Sequence, residues 1–276
     1  MSSRTIIPAN IVIRKIETLA EMHEVEQLQR EIWGVDDLEV YPALALKPQT
    51  EVGAILIGAF ASGRLVGFVF GFPGILNGEN IIHSDMLGIG EAYRSQNLGY
   101  LLKLAQRDAA LALGVKRITW TFDPLQSRNA HLNFAKLGVI ADRYYVDYYG
   151  ETSSFLHRFG TDRLWVTWLL ERERGPRIST SELDRMPRVV RVGSQLDPIV
   201  DTSVTGPRLI VEIPAELTAN HEHWRAATRE AFTSAMDKKY VVEEFVVNDD
   251  RKVGRYVLTQ RRKGGLSFSL RLCAFA

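Results

Sequence analysis

The chain has 276 residues, of which 46% are hydrophobic and 24% are charged, and its formal net charge is +1. This composition predicts a folded chain with a sizeable core and excludes a disordered one. With 34 basic and 33 acidic residues, the chain lacks the positive balance of a nucleic-acid binder. Its one cysteine, Cys273, cannot form an internal disulfide.

Residues 1–8 contain no apolar region of the signal-peptide type. No apolar run reaches the roughly 20 residues that a membrane-spanning helix needs. We therefore expect a cytoplasmic protein that has neither a membrane nor a nucleic acid as its partner.

The first 50 residues predict a strand, a helix and a second, shorter helix. Residues 10–16 alternate weakly between apolar and polar side chains, as strands do. Thr18 and Glu21 fit a capping box, so a helix starts there, and Gly34 is placed to end it. A short apolar segment at residues 42–47 predicts the second helix.

Two apolar runs, residues 54–61 and 64–72, flank a Ser-Gly link and predict a β-hairpin. A turn-rich segment at residues 73–80 then leads to a third strand that begins at Ile81. After the next helix, at residues 98–113, the pattern predicts a strand, a helix and a further extended segment, which are residues 115–122, 127–137 and 139–149. Hairpins mixed with crossovers indicate an α/β or α+β fold with a mixed, mostly antiparallel central sheet flanked by helices.

The pattern changes after Gly150. Residues 164–170 predict one more strand, and residues 171–201 are rich in arginine and proline with little periodicity, which favours an irregular arm. From Arg208 onward the pattern predicts a strand, a helix and two strands. We divide the chain into three parts, namely a core at 1–150, a strand plus irregular arm at 151–205, and a small α+β region packed on the core at 206–276.

The stretch from Ile81 to Leu104 runs as a strand, a polar turn and an apolar helix. Such a turn leaves several backbone N–H groups free at the start of the helix. Those donors and the positive end of the helix dipole form a site for phosphate.

Residues 93–102, YRSQNLGYLL, resemble the CoA-binding signature Gln/Arg-x-x-Gly-x-Gly/Ala of the GNAT (Gcn5-related N-acetyltransferase) superfamily. Arg94 matches the first position and Gly99 the last, while Asn97 replaces the middle glycine. Asparagine is one of the few other residues that adopts a positive φ at modest cost. Residues 127–138, SRNAHLNFAKLG, resemble the family's second helix signature, and the resemblance extends over about residues 10–150.

The resemblance implies an acyl-CoA N-acyltransferase fold that uses acetyl-CoA or another acyl-CoA as co-substrate, without a metal. It implies that the polar turn binds the pyrophosphate. The strand that begins at Ile81, here called the focal strand, would splay from its neighbour and pair with pantetheine along its edge. The next helix would start near the distal part of CoA. The residues implied are Arg94, Ser95, Gln96, Asn97, Leu98, Gly99 and Tyr100 in the turn, Leu87, Gly88 and Ile89 on the strand, and Asn129 or Arg128 on the helix.

Acylation of an amine calls for a proton acceptor and benefits from an acid that protonates the leaving thiolate. His83 and Asp85 lie two residues apart on the focal strand and so share a face. His83 is a candidate base that titrates near neutral pH, and Asp85 is a candidate for binding the substrate ammonium or orienting His83.

The tyrosine that many GNAT enzymes use as the acid falls at Phe134 here, which has no proton to give. Four tyrosines downstream of Phe134 are open replacements, and strand alternation allows only one pair on each face. Among them, Tyr145 is the candidate acid, and the others are Tyr144, Tyr148 and Tyr149.

Together these observations predict transfer of an acetyl or another short acyl group from acyl-CoA to a primary amine of a small molecule such as an amino acid. The amine attacks directly in a ternary complex. The missing tyrosine keeps open a non-catalytic acyl-CoA-binding module. A protein N-acetyltransferase is a further alternative, which a C-terminal region covering the cleft would disfavour. A homodimer is compatible with the sequence.

Overall fold

The computed structural model describes residues 10–150, 157–173, 175, 178–248, 250 and 252–261; Cys273 lies outside them. The strands, in chain order, are β1 Ile11–Lys15, β2 Ile55–Ala61, β3 Arg64–Leu76, β4 Glu79–Ile89, β5 Arg117–Phe122, β6 Ile140–Tyr145, β7 Arg163–Leu169, β8 Arg188–Val192, β9 Pro198–Val200, β10 Arg208–Pro214, β11 Tyr240–Val247 and β12 Val253–Gln260. The helices are α1 Leu19–Trp33, α2 Ala43–Glu51, α3 Leu98–Ala112, α4 Ser127–Ala130, α5 Thr180–Arg185 and α6 His221–Asp237. Helix α4 continues directly as a π-helix, His131–Leu137.

All these strands belong to one sheet in the order β1-β2-β3-β4-β5-β7-β6-β11-β12-β10-β8-β9. Neighbouring strands are antiparallel except for two parallel pairs, β4 with β5 and β8 with β10. This arrangement confirms the mixed, mostly antiparallel sheet flanked by helices. Strand β7 is hydrogen-bonded to β5 on one side and to β6 on the other.

The helices cover the two faces of the sheet unequally. On the first face, α1 and α2 bury residues such as Met22 and Leu46 against Phe68 of β3. On the second face, α3, the π-helix and α6 share one core that includes Leu102 and Phe232. Helix α5 packs on the first face of β10 and β12. The first face of β5, β7 and β6 therefore lies between α1–α2 and α5.

Local signals in the sequence placed the ends of several elements correctly. Thr18 and Glu21 form the predicted capping box, and Gly34 ends α1 in the left-handed conformation with φ 63°. Ser62 and Gly63, with φ 48° and 83°, form the predicted link between β2 and β3. In each case the interaction joins residues only a few positions apart.

Two predictions from the pattern are wrong. Residues 73–80 were predicted as a turn, but β3 and β4 extend through them to a tight turn at Asn77-Gly78, where φ is 54° and 80°. The irregular arm over residues 171–201 instead contains α5, β8 and β9. These elements have three to six residues, too few to show a period, and packing against β10 stabilises them.

The C-terminal region extends the sheet. Its strands continue the sheet beyond β6, and α6 packs on the second face. Among the described residues, no helix of this region packs on the first face of β5 and β7. The three-part division of the chain stays a prediction, with β7 placed inside the sheet of the N-terminal part.

Candidate active site

The turn that precedes α3 adopts an unusual backbone conformation. A short 3-10 turn, Glu91–Tyr93, follows β4. Ser95 and Asn97 then have φ of 66° and 64°, in the left-handed region. The prediction that Asn97 adopts a positive φ is confirmed. Its side-chain oxygen accepts a hydrogen bond of 2.7 Å from the Lys136 ammonium, which joins the turn to the π-helix.

This turn leaves its backbone donors free. The N–H groups of residues 95–100 donate to no acceptor within the described chain, and the first backbone bond of α3 runs from Leu101 N to Asn97 O. The Arg94 and Gln96 side chains bend back onto the carbonyls of Ile89 and Ala92 and remain exposed. Six unpaired donors at the positive end of a 15-residue helix are suited to an anion.

The two central strands separate beside this turn. Strands β4 and β5 pair only at Ile82–Ile118 and His83–Thr119. Beyond that point Leu87, Gly88 and Ile89 pair with β3 on one side, and the edge toward β5 is unpaired. The predicted splay of the focal strand is therefore present. Such an edge can add an extended ligand as a further strand.

A β-bulge lies on β4 at the point of separation. Its register with β3 shifts between Gly71–Ser84 and Phe70–Met86, which leaves Asp85 as the extra residue. Simple alternation therefore does not relate His83 to Asp85, contrary to the sequence argument. The Asp85 side chain is exposed, and desolvation by the surrounding protein raises the pKa of its carboxyl.

His83 is held on the first face by Thr119 and two aromatic rings. Its Nδ1 lies 3.0 Å from the Thr119 Oγ1, and its ring centroid lies 5.5 Å from that of Phe72 and 5.1 Å from that of Trp165. Burial, together with the nearby Lys103, lowers the pKa of His83 to about 4. The structure thus contradicts the expectation that His83 titrates near neutral pH; the imidazole is neutral there.

The strand register separates the tyrosines of β6. Tyr145 lies on the first face, with ring centroids 6.1 Å from Trp165 and 5.2 Å from Tyr148. Tyr144 faces the opposite side, stacks on Phe232 and donates a hydrogen bond of 2.6 Å to Asp162. The structure therefore brings Tyr145 and His83 onto one aromatic surface, with Trp165 between them.

The usual position of the acid on the helix after β5 is apolar. Phe134 is fully buried and packs against Phe122 and Tyr256. The phenol of Tyr256 donates a hydrogen bond of 2.6 Å to the Pro124 carbonyl, and burial raises the pKa of that phenol well above the usual value. Neither ring can supply a proton to a leaving thiolate.

The sequence analysis did not identify three polar groups at this site, which are Asn133, Trp165 and Arg143. Asn133 lies one turn after the exposed Asn129; it is 4% exposed and its Nδ2 has no hydrogen-bond partner. Asn133 lies four residues after Asn129, so the two share a helix face, and this spacing could have indicated Asn133 from the sequence. The Trp165 Nε1–H is also buried without a partner, and Arg143 lies above the ring of Trp165 at 4.6 Å.

A buried lysine closes the point where β4 and β5 separate, on the second face. The Lys103 Nζ lies 2.8 Å from the Ser84 Oγ, 3.1 Å from the Gln106 Oε1 and 3.7 Å from the centre of the Trp120 ring. Burial lowers its pKa well below the usual value. In the sequence, this buried lysine is indicated only by its position among the apolar residues of α3.

The described residues contain neither a membrane-spanning helix nor a metal-binding cluster. No helix among them is long and apolar enough to cross a membrane. No group of three or more histidine, cysteine, aspartate or glutamate side chains among them could hold a metal ion.

In sequence, the chain matches no protein-family profile and no curated protein. Solved structures with a similar backbone include the ribosomal-protein-S18-alanine N-acetyltransferase from Escherichia coli, at 12% identity over 61% of this chain and 99% of that chain with a TM-score of 0.47. Another is aminoglycoside 6'-acetyltransferase type Ii, at 14% over 59% and 99% with a TM-score of 0.46. A third is the PaiA N-acetyltransferase from Thermoplasma acidophilum in complex with coenzyme A, at 17% over 57% and 97% with a TM-score of 0.41.

Likeness at this level concerns the backbone architecture alone. The mixed sheet, the splayed β4 and β5, and the donor-lined turn before α3 are the features that the resemblance in the sequence predicted, and β8–β12 and α6 lie beyond them in the chain.

Proposed function

We propose that the protein is an acyl-CoA-dependent N-acyltransferase that transfers an acetyl or another short acyl group to a primary amine of a small molecule. The observation that carries this proposal is the row of unpaired N–H groups at residues 95–100, which lies directly beside the splayed edge of β4. A diphosphate would satisfy those donors, and an extended amide-containing arm would pair with that edge.

The polar groups present fit coenzyme A from one end to the other. The turn offers its N–H groups to the pyrophosphate, with Arg94 exposed beside it. The edge at Leu87, Gly88 and Ile89 offers backbone donors and acceptors to pantetheine. The unpaired Nδ2 of Asn133, on the π-helix joined to the turn through Lys136, offers a further donor. Exposed Asn129 starts that helical segment near the distal part of the cofactor.

The catalytic roles follow from the first face. Asp85 is exposed, so its carboxylate can bind the substrate ammonium, and its raised pKa makes it a better acceptor for the ammonium proton, which it then passes to water. His83 is a neutral acceptor held in position by Thr119. A backbone N–H of β4 polarises the acyl carbonyl as negative charge develops. Thiolate is a tolerable leaving group, and Tyr145 is the phenol on this face that can protonate it.

Calorimetric titration with CoA, acetyl-CoA and succinyl-CoA tests the cofactor, and an assay for released thiol with a panel of amines tests the reaction. We expect saturable binding that raises the melting temperature by mass action, together with thiol release that depends on the amine. Absence of binding to all three ligands would overturn the proposal.

The buried Phe134 favours one other function, a non-catalytic acyl-CoA-binding module. That module would bind acyl-CoA and release no thiol with any amine. The open first face also accommodates a peptide amine, so the panel includes N-terminal peptides; preferential turnover of peptides would replace the small-molecule acceptor with a protein one.

A further inference from the structure

We propose that Arg143 binds a carboxylate of the acceptor, so that the preferred substrates are amines that carry a carboxylate close to the reacting nitrogen, as amino acids do. This inference rests on the proposed acyltransferase function and specifies the acceptor of the same site.

The strand register places Arg143 in the candidate acceptor site. Arg143 of β6 pairs with Trp165 of β7, and Trp165 pairs with Thr121 of β5. The guanidinium lies 4.6 Å from the centre of the Trp165 ring, and the His83 ring lies 5.1 Å from the same indole. Stacking on an indole fixes the plane of a guanidinium and leaves its edge free.

The charge of Arg143 is incompletely paired. Among the described residues its only carboxylate within 4 Å is that of Asp142, with Nε 3.6 Å from Oδ1. The other oxygen of that carboxylate binds Arg261 at 3.1 Å. The side chain of Arg143 is 36% exposed, and its two terminal nitrogens donate to no described acceptor. A planar fork of free donors is the geometry that binds a carboxylate through two hydrogen bonds.

An opposite charge lies across the same surface. Asp85 and Arg143 both act on the Tyr148 hydroxyl: burial and the neighbouring Tyr149, Tyr145 and Asp85 raise the pKa of Tyr148, and Arg143 lowers it. A carboxylate and a guanidinium therefore both act on one tyrosine. This pairing complements an ammonium and a carboxylate on one small molecule. The unpaired Trp165 Nε1–H adds a neutral donor to the same surface.

The test compares L-amino acids with their C-terminal amides, which keep the amine and lose the carboxylate. We expect the unmodified protein to prefer each acid over its amide by at least about tenfold in kcat/KM. Arg143→Gln should lower kcat/KM for the acids about 10- to 100-fold and leave the amides within about threefold. Arg143→Lys should retain part of the preference, because it keeps the charge and loses the fork.

Arg117→Gln serves as the matched control. Arg117 lies on β5 of the same sheet, but its guanidinium is already paired with Glu79 at 2.8 Å, so the ratio of acid to amide should not change. CoA affinity should be the same in all variants. Equal use of acids and amides by the unmodified protein, or an equal loss for both in Arg143→Gln, would overturn the inference while leaving the acyltransferase function intact.

A binding experiment covers the case of no turnover. Amino acids and their amides are titrated calorimetrically into CoA-saturated protein and into CoA-saturated Arg143→Gln. Binding of acids alone, lost in the variant, would support the carboxylate contact even if the proposed reaction failed. Absence of binding, or binding that ignores the carboxylate, would overturn it.

Discussion

Arg225 of α6 and Asp123, at the end of β5, form a two-pronged ion pair in which Nη1–Oδ1 and Nη2–Oδ2 are both 2.9 Å. The two side chains are 8% and 20% exposed. The pair joins the C-terminal helix to the turn that precedes α4. Helix α6 therefore supports the turn from which α4 starts.

Arg225→Met should lower the free energy of unfolding by about 2–4 kcal/mol, because it leaves the partly buried Asp123 carboxylate without its ionic partner. Arg128→Met is the control: that side chain is 87% exposed and lies 3.9 Å from Glu216, so its change should stay within about 0.5 kcal/mol. Urea unfolding measures both. Equal effects of the two substitutions would show that the buried pair does not tie α6 to β5.

Gly99→Glu should weaken CoA binding at least about 100-fold by placing a carboxylate beside the unpaired N–H groups. A Cβ at Gly99 would lie 3.7 Å from Leu87 and 3.9 Å from Leu132, so the fold has room for a side chain. Gly99→Gln has the same shape without the charge and should retain more affinity. Calorimetry with CoA and a melting curve separate binding from folding. Unchanged affinity in Gly99→Glu would refute the phosphate site.

His83 should make stability depend on pH in the acid range. Burial, with the charge of Lys103, lowers its pKa from 6.5 to about 4 in the folded chain, so the unfolded chain takes up the proton first as pH falls. The folded state therefore loses stability between pH 6.5 and about 4. His83→Gln removes that proton uptake, so the unfolding free energy of this variant should change less across this pH range. Urea unfolding at several pH values measures it, and parallel curves for the two proteins would contradict the buried neutral imidazole.

Lys103 should make stability rise with pH in the same direction as His83, but on the alkaline side. Burial lowers its pKa well below 10.5, so from the lowered pKa up to that value the unfolded chain carries a proton that the folded chain lacks. Stability should therefore rise with pH by up to about 1.4 kcal/mol per pH unit. In Lys103→Met this slope should disappear, whatever the absolute stability of the variant. Unfolding free energies between pH 7 and 10 provide the measurement, and a slope that survives the substitution would assign it to other groups.

Interactions between neighbours in the chain could be predicted from sequence. The capping box of Thr18 and Glu21, the end of α1 at Gly34 and the left-handed Asn97 each depend on the backbone preferences of a few adjacent residues. The polar turn before α3 follows from the same preferences, so its free N–H groups were predictable as well. These local properties specify the anion-binding turn.

Only the tertiary structure placed the acceptor side of the site. The row Thr121–Trp165–Arg143 exists because β7 inserts between β5 and β6, and a contact between strands distant in the chain leaves no period in the sequence. The pKa of His83 is lower than expected because Phe72 and Trp165 pack against the imidazole and exclude water from it. Desolvation and strand register depend on residues that meet only in the folded chain, so the chemistry of this face is set by packing.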